Sequence, residues 1–513
     1  MDTLLTAKIA ASAPRYRRKS STFIDGIHDI SDDQGNLAPA QLYSTMSGRL
    51  FHSGRIAIVM VGLPARGKTH ICVSMARYLS WLGVKTRIFH LGDYRRATVE
   101  GGLCREDIYA WLNHENGQVA IYDAVNPTAS GRRALAKEFA KHDVQTLFIE
   151  SYVDDQEILQ ENARNVKISS PDFHGMDPDE AARKYLRRIE TKIPVFETMN
   201  EDELNYVKMI NAGQAFFYNN VSFNYLSHRI VFYLTNLHIK FRTTFFVRAG
   251  PATDEDSYKA DAPLSEEGMM YAEKMAETLL RHREQERQAA IDRGDPDLPL
   301  RPLTVWTSTR LRTMQTAEPL RQRGYKVRPR SQMSQINPGV CENLSEREIR
   351  LKYPEEVEKH ELDPYHHRYP RAESYHDLAV RLEPIILELE REQNDLLIIA
   401  HESVLRVLYA YLMHCSTMDI PKLKFPRDEI IEIIPAAYQN EAKRIHIPGL
   451  DPRTIPGSPE DIRIPVPTDT SIRLPPIPEM NSSDSAEVAP ARPPEKIVNK
   501  AKEMVSDKVA DED

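Results

Sequence analysis

The sequence predicts an α/β protein of two domains, and three observations carry that prediction. An unbroken apolar run, Ile56 to Val61, leads through Gly62-Leu63-Pro64-Ala65-Arg66-Gly67-Lys68-Thr69 into a helix-like stretch from His70 to Leu82. Strand-like and helix-like stretches then alternate as far as Ile149, the order that builds a parallel, doubly wound sheet. A second alternation starts at Phe241 and reaches Ala400. At 513 residues the chain exceeds what one core fills. It divides into a mobile arm at 1–50, a first domain at 51–240, a second at 241–440 and a Pro-rich tail at 441–513.

Composition narrows the function class. With 41% hydrophobic and 28% charged residues the chain reads as a soluble globular protein. A net charge of -8 argues against general nucleic-acid binding, which needs surplus Lys and Arg. Phosphate chemistry must therefore use local cationic pockets. Cys72, Cys104, Cys341 and Cys415 are far apart and show no metal-type pairing. With no signal peptide and no apolar stretch long enough to span a bilayer, the expected compartment is the cytoplasm.

In chain order, residues 1–50 mix polar and small residues with little apolar periodicity. Within them Arg15-Tyr16-Arg17-Arg18-Lys19-Ser20-Ser21-Thr22 sets basic residues ahead of hydroxyls, which suits a kinase target or a plain solubilising tail. The Gly62 to Thr69 loop follows. Glycines let its N–H groups converge on one point at the positive end of the next helix, which holds a polyphosphate without a deep pocket. Lys68 reaches the outer phosphates in such a loop, and the Thr69 hydroxyl holds Mg²⁺. Thr86 to Leu91, Gln118 to Tyr122 and Thr146 to Ile149 read as further strands, with ligand expected beyond their C-terminal ends. Asp123 ends the third strand, where an acid can face the Mg²⁺ or accept a proton from an attacking hydroxyl.

These segments, with Leu91-Gly92-Asp93-Tyr94-Arg95-Arg96, Tyr122-Asp123-Ala124-Val125-Asn126 and Asn165-Val166-Lys167-Ile168-Ser169-Ser170-Pro171-Asp172, carry a resemblance. They are similar to the kinase half of the 6-phosphofructo-2-kinase/fructose-2,6-bisphosphatase family. The likeness continues through Val305-Trp306-Thr307-Ser308, Arg368-Tyr369-Pro370-Arg371-Ala372-Glu373-Ser374-Tyr375 and Ile399-Ala400-His401-Glu402. It spans about Arg55 to Tyr438, and the wording is closest to the fungal branch. The resemblance implies transfer of the γ-phosphoryl of ATP to the 2-hydroxyl of fructose 6-phosphate, giving fructose 2,6-bisphosphate. It implies that Lys68 and Lys167 neutralise the transferring group, that Thr69 and Asp123 hold Mg²⁺, and that Asp123 also orients the sugar hydroxyl. Arg95, Arg132 and Arg188 match positions that grip the sugar phosphate, a task suited to the planar guanidinium fork.

Departures from the family pattern matter as well. Between Arg96 and Cys104 stand only Ala97-Thr98-Val99-Glu100-Gly101-Gly102-Leu103, where the family has a longer loop and a helix carrying another sugar-phosphate arginine. Val125 replaces a threonine, Val153 a cysteine and Lys192 a tyrosine. One lost charged contact weakens binding by about 1.5–3 kcal/mol.

From Phe241, Thr243 to Val247, Leu303 to Trp306 and Leu396 to Ala400 read as strands, with helices over Leu264 to Leu280 and Tyr375 to Gln393. This half resembles the histidine phosphatase (phosphoglycerate mutase-like) fold. That family's signature is Arg-His-Gly, the histidine being the nucleophile. Here the residues are Arg248-Ala249-Gly250. Gln335 stands where the family has the glutamate that protonates the leaving oxygen, and a neutral amide has no proton to give. Arg248, Arg312 and His401 remain at the family's phosphate pocket, with Arg368 and Arg371 as outer contacts. They form either an anion pocket, open to fructose 2,6-bisphosphate, or inherited packing.

Beyond Ile447 the chain is rich in Pro, Ser, Asp and Glu and reads as disordered, with Arg473-Leu474-Pro475-Pro476-Ile477-Pro478 as a proline-recognition segment and a frayed helix at Lys496 to Ala510. Two functional readings follow: a kinase with a silent phosphatase domain, homodimeric or not, or a non-catalytic protein that binds nucleotide or sugar phosphate.

Overall fold

The computed structural model describes residues 55–92, 103–115, 117–155, 158–159, 195–221, 224–239, 242–253, 261–293, 297, 299–435 and 440–450. The expectations placed on the arm, on the tail beyond 450, and on Arg95, Lys167, Arg188 and Lys192 lie outside the described residues.

The first domain carries β1 (Arg55–Val61), β2 (Thr86–His90), β3 (Val119–Asp123), β4 (Val144–Tyr152), β5 (Tyr206–Ile210) and β6 (Ala215–Asn219). Their order is β2-β3-β1-β4-β5-β6. All pairings are parallel except β5 with β6. Ile56 to Val61 are fully buried at the sheet centre, which is why β1 reads as a continuous apolar run and not an alternating one. Pairing of β1 with β3 brings the loop after β1 and the end of β3 to one edge. The first four strands match the sequence reading within three residues, while β5 and β6 escaped it. In β6 the exposed Phe217 and Tyr218 belong to an edge strand, where no buried face imposes a pattern.

The second domain carries β7 (Thr244–Arg248), β8 (Leu303–Ser308), β9 (Lys326–Arg330), β10 (Asp395–Ala400), β11 (Glu429–Ile434) and β12 (Glu441–His446). They lie in the order β12-β11-β7-β10-β8-β9. β7, β10, β8 and β9 run parallel, and β11 runs antiparallel to both of its neighbours. Three expectations need correction here. The helix expected over Tyr375 to Gln393 is two helices, Tyr375–Arg381 and Glu383–Arg391. Pro384 lacks the N–H that would continue the first helix, and it sits in the opening turn of the second, where that donor has no partner to lose. The helix expected to stop at Leu280 continues to Asp292 through a polar stretch. The tail expected from residue 441 begins later, because Glu441–His446 pairs with β11 as an edge strand whose charged residues hid it.

The two domains share one apolar cluster, which includes Ile58, Met75 and Tyr233 from the first and Ile386, Ile398 and Leu408 from the second. Polar contacts cross the same seam. Arg77, on the Lys68–Trp81 helix that follows the glycine-framed loop, meets Glu390 at 2.7 Å. Tyr78 donates to Glu383 at 2.9 Å. Trp81 packs edge-on against Tyr411 with ring centroids 5.5 Å apart, and the Arg77 guanidinium lies 5.0 Å from the same tyrosine ring.

Candidate functional site

The glycine-framed loop is held in shape by backbone that only glycine tolerates easily. Gly62 has φ 137°, and a Cβ there would stand 2.7 Å from the Ser151 carbonyl oxygen. Gly67, the residue before the helix, has φ 78°. The Gly62 N–H donates to the Val125 carbonyl at 3.1 Å, and Asn126 Nδ2 donates to the Met60 carbonyl at 2.7 Å, so the loop is strapped to the segment after β3. Lys68 Nζ folds back to donate to the Leu63 carbonyl at 2.7 Å.

Asp123 closes the site. Its Oδ2 accepts from Thr69 Oγ1 at 2.9 Å and faces His90 Nδ1 at 2.9 Å. The strand register pairs His90 with Asp123, which explains the contact, and nothing in the sequence pattern around His90 announced it. Burial alone would raise the Asp123 pKa, but the His90 hydrogen bond and charge, the Lys68 charge and the Thr69 hydroxyl outweigh it and hold the carboxyl below its ordinary value. A hydroxyl and an ionised carboxylate side by side, next to an anion-cradling loop, are the hard oxygen donors that fit Mg²⁺ with a nucleotide phosphate.

Arg132 lies against the same segment after β3. It is buried, with Nε on Glu201 Oε1 at 2.7 Å and Nη1 on the Asn126 and Glu197 carbonyls at 3.1 and 2.9 Å. Those bonds make it a brace for the segment after β3, while its Nη2 is buried without a hydrogen-bond partner among the described residues. Val125 takes part through its backbone carbonyl, and Val153 is buried in the core.

The second site is a cavity of about 850 Å³ at the carboxyl ends of β7 and β10. Arg248, Ala249, Arg312, Gln335 and His401 all line it. Ala249 is thus in the cavity with Gln335, as the sequence implied. Arg312 Nε donates to the Gly250 carbonyl at 2.6 Å. Burial, reinforced by Arg312, Arg248, Arg310 and Arg427, drives the His401 pKa down to about 3, so the ring is neutral at pH 7. Its Nε2 is buried without a hydrogen-bond partner among the described residues.

Arg368 and Arg371, expected as outer contacts, are not among the lining residues. Arg368 is half exposed and sits 3.6 Å from Asp377, and Arg371 occupies a turn at φ 62°. Arg406, Arg427 and Lys422 line the cavity in their place. Arg406 stands one helical turn after Glu402, a signal the sequence held but which resembles any i,i+4 surface pair.

A glycine-framed phosphate loop with an acid at the adjacent strand end, followed by a parallel sheet with an arginine- and histidine-lined cavity, defines a P-loop kinase domain joined to a histidine phosphatase domain. The profile of the 6-phosphofructo-2-kinase family matches residues 43–102 and 103–241, and that of the histidine phosphatase superfamily (branch 1) matches 244–447. A Saccharomyces cerevisiae protein provisionally designated 6-phosphofructo-2-kinase/fructose-2,6-bisphosphatase is 41% identical over 458 residues, 83% of this chain and 89% of its own. The Gallus gallus 6-phosphofructo-2-kinase/fructose-2,6-bisphosphatase is 36% identical over 418 residues, 76% of this chain and 84% of its own. The chain belongs to the 6-phosphofructo-2-kinase/fructose-2,6-bisphosphatase family. No helix among the described residues is long and apolar enough to cross a membrane.

Proposed function

We propose that this protein transfers the γ-phosphoryl of ATP to the 2-hydroxyl of fructose 6-phosphate and that its second domain does not hydrolyse the product. The observation that carries the first half is the 2.9 Å contact of Thr69 with Asp123 beside Lys68, in a chain of this family. Phosphoryl transfer needs positioning and charge stabilisation more than a strong nucleophile. Gly62 to Thr69 would cradle the phosphates, and Lys68 would leave the Leu63 carbonyl to meet them. Mg²⁺, held by Thr69 and Asp123, would screen the charge that builds on the phosphate oxygens. Lys167 would reach the transferring group, and Arg95 and Arg188 would hold the sugar phosphate. Asp123, kept ionised, would also orient the attacking hydroxyl.

Ala249 and Gln335 support the second half, since neither can attack phosphorus or protonate a leaving oxygen. The cationic cavity around them is then an anion pocket. One observation favours a rival, a non-catalytic protein that binds nucleotide or sugar phosphate. The kinase profile match is split between residues 102 and 103, at the short Arg96 to Cys104 connection. Incubation of the purified protein with Mg²⁺, ATP and fructose 6-phosphate separates the two. Fructose 2,6-bisphosphate that forms, and is lost in Lys68→Ala, supports the kinase; nucleotide binding with no product supports the rival.

A further inference from the structure

Glu402 lies inside the second domain's cavity, bonded to arginines that line it. Its Oε2 is 3.3 Å from Arg248 Nη1, and its Oε1 is 3.3 Å from Arg406 Nη2 and accepts from the Phe425 backbone N–H at 3.1 Å. The pair with Arg406 alone would be an ordinary i,i+4 contact within the Glu402–Met413 helix. The other two donors come from elsewhere, the end of β7 and the segment around Phe425. Two guanidinium groups and a backbone amide converging on one anionic group from three segments is how phosphate oxygens are bound. Here the group bound is a carboxylate of the chain itself.

We propose that Glu402 is an internal anion that occupies the Arg248 and Arg406 side of this pocket and sets which charge it accepts, so that a phosphate dianion enters only by displacing the carboxylate. The proposal rests on the reading of the cavity as an anion pocket. Arg312, Arg427 and Lys422 also line the cavity and favour anions, while Glu346, Glu361 and Glu373 on its walls oppose them. Glu402 differs from those three in engaging the arginine at the end of β7, next to the place the family reserves for its nucleophile. The loss of that nucleophile and the presence of a resident carboxylate act in the same direction: they turn a site for phosphate turnover into one that admits phosphate weakly.

The test is calorimetric titration of the full-length protein with inorganic phosphate. The pocket's share of the binding is the part lost in Arg312→Ala, which separates it from binding at the nucleotide loop. Glu402→Gln keeps the acceptor for Phe425 but removes the charge. It should bind phosphate in the pocket at least about tenfold more tightly, the scale of removing a like charge a few ångströms away in a partly buried site. Glu402→Ser should behave the same way and covers the case in which Glu402→Gln fails to fold. Pocket binding that is present in the wild type but no tighter in either folded variant overturns the role of Glu402 and leaves the anion pocket standing. Absence of Arg312-dependent binding in every folded protein removes the anion pocket and the proposal together.

Discussion

Arg77 and Glu390 form a buried ion pair, 2.7 Å apart, between the helix that starts at the glycine-framed loop and the Glu383–Arg391 helix of the second domain. Burial raises the Glu390 pKa, but the Arg77 charge and the Tyr411 and Arg77 hydrogen bonds bring it below its ordinary value. Removing one partner leaves the other charge uncompensated in the interior. Arg77→Ala should therefore destabilise the chain by about 3–5 kcal/mol, whereas the double variant Arg77→Met, Glu390→Leu should recover most of that loss. Urea unfolding curves of the three proteins check this. A single-variant loss below about 1 kcal/mol would show that the pair is not what joins the domains.

Gly62→Ala should abolish nucleotide binding while leaving the fold intact. The new Cβ would press on the Ser151 carbonyl at 2.7 Å, and alanine is strained at φ 137°. The loop must then open away from β4, which moves Lys68 and Thr69 together. Titration with Mg²⁺ and a non-hydrolysable ATP analogue, beside a circular dichroism spectrum, reads both effects. Wild-type affinity in this variant would mean that the loop does not hold the nucleotide.

How far the sequence foretold this molecule depended on which face each segment buries. β1, β3 and β10 are buried on both faces and read as plain apolar runs. β6 and β12 lie at sheet edges with at least half their residues exposed, so no buried face imposes an alternation on β6, and the charged residues of β12 resemble those of a loop. Motif residues were legible for the same reason that they are useful: Gly62, Lys68 and Thr69 owe their positions to local backbone. The contacts of Arg132 and Glu402 were not, because their partners Glu201, Arg248 and Phe425 are distant in sequence.

Acid should weaken the fold well above the range in which carboxylates titrate. Burial is the main cause holding two histidines neutral, with Arg77 adding to it for His70 and Arg312 for His401. Their pKa values fall to about 4 and about 3, from 6.5. Between about pH 6.5 and 4 the unfolded chain takes up protons that the folded chain refuses, so stability is full above 6.5 and declines as pH falls. Asp123 and Glu390 have lowered values, and their contribution is lost only at lower pH. His70→Asn and His401→Gln should each flatten the fall of melting temperature between pH 6.5 and 4.5. An unchanged slope in both would assign the acid sensitivity to other groups.

If the second domain is silent as proposed, a histidine nucleophile alone should not make it active. Ala249 and Gln335 line the same cavity, and on the proposed reading each removes a different step of hydrolysis. Histidine at 249 would take the phosphoryl group from fructose 2,6-bisphosphate slowly unless the departing sugar oxygen received a proton, and the Gln335 amide has none to donate. A positioned acid contributes about 10²- to 10⁴-fold. Ala249→His should therefore fall short of the double variant Ala249→His, Gln335→Glu by roughly that factor in phosphate released from fructose 2,6-bisphosphate. The wild-type protein should release none. Equal rates in the single and double variants would show that another group in the cavity supplies the proton, and release by the wild type would show that the histidine is not required.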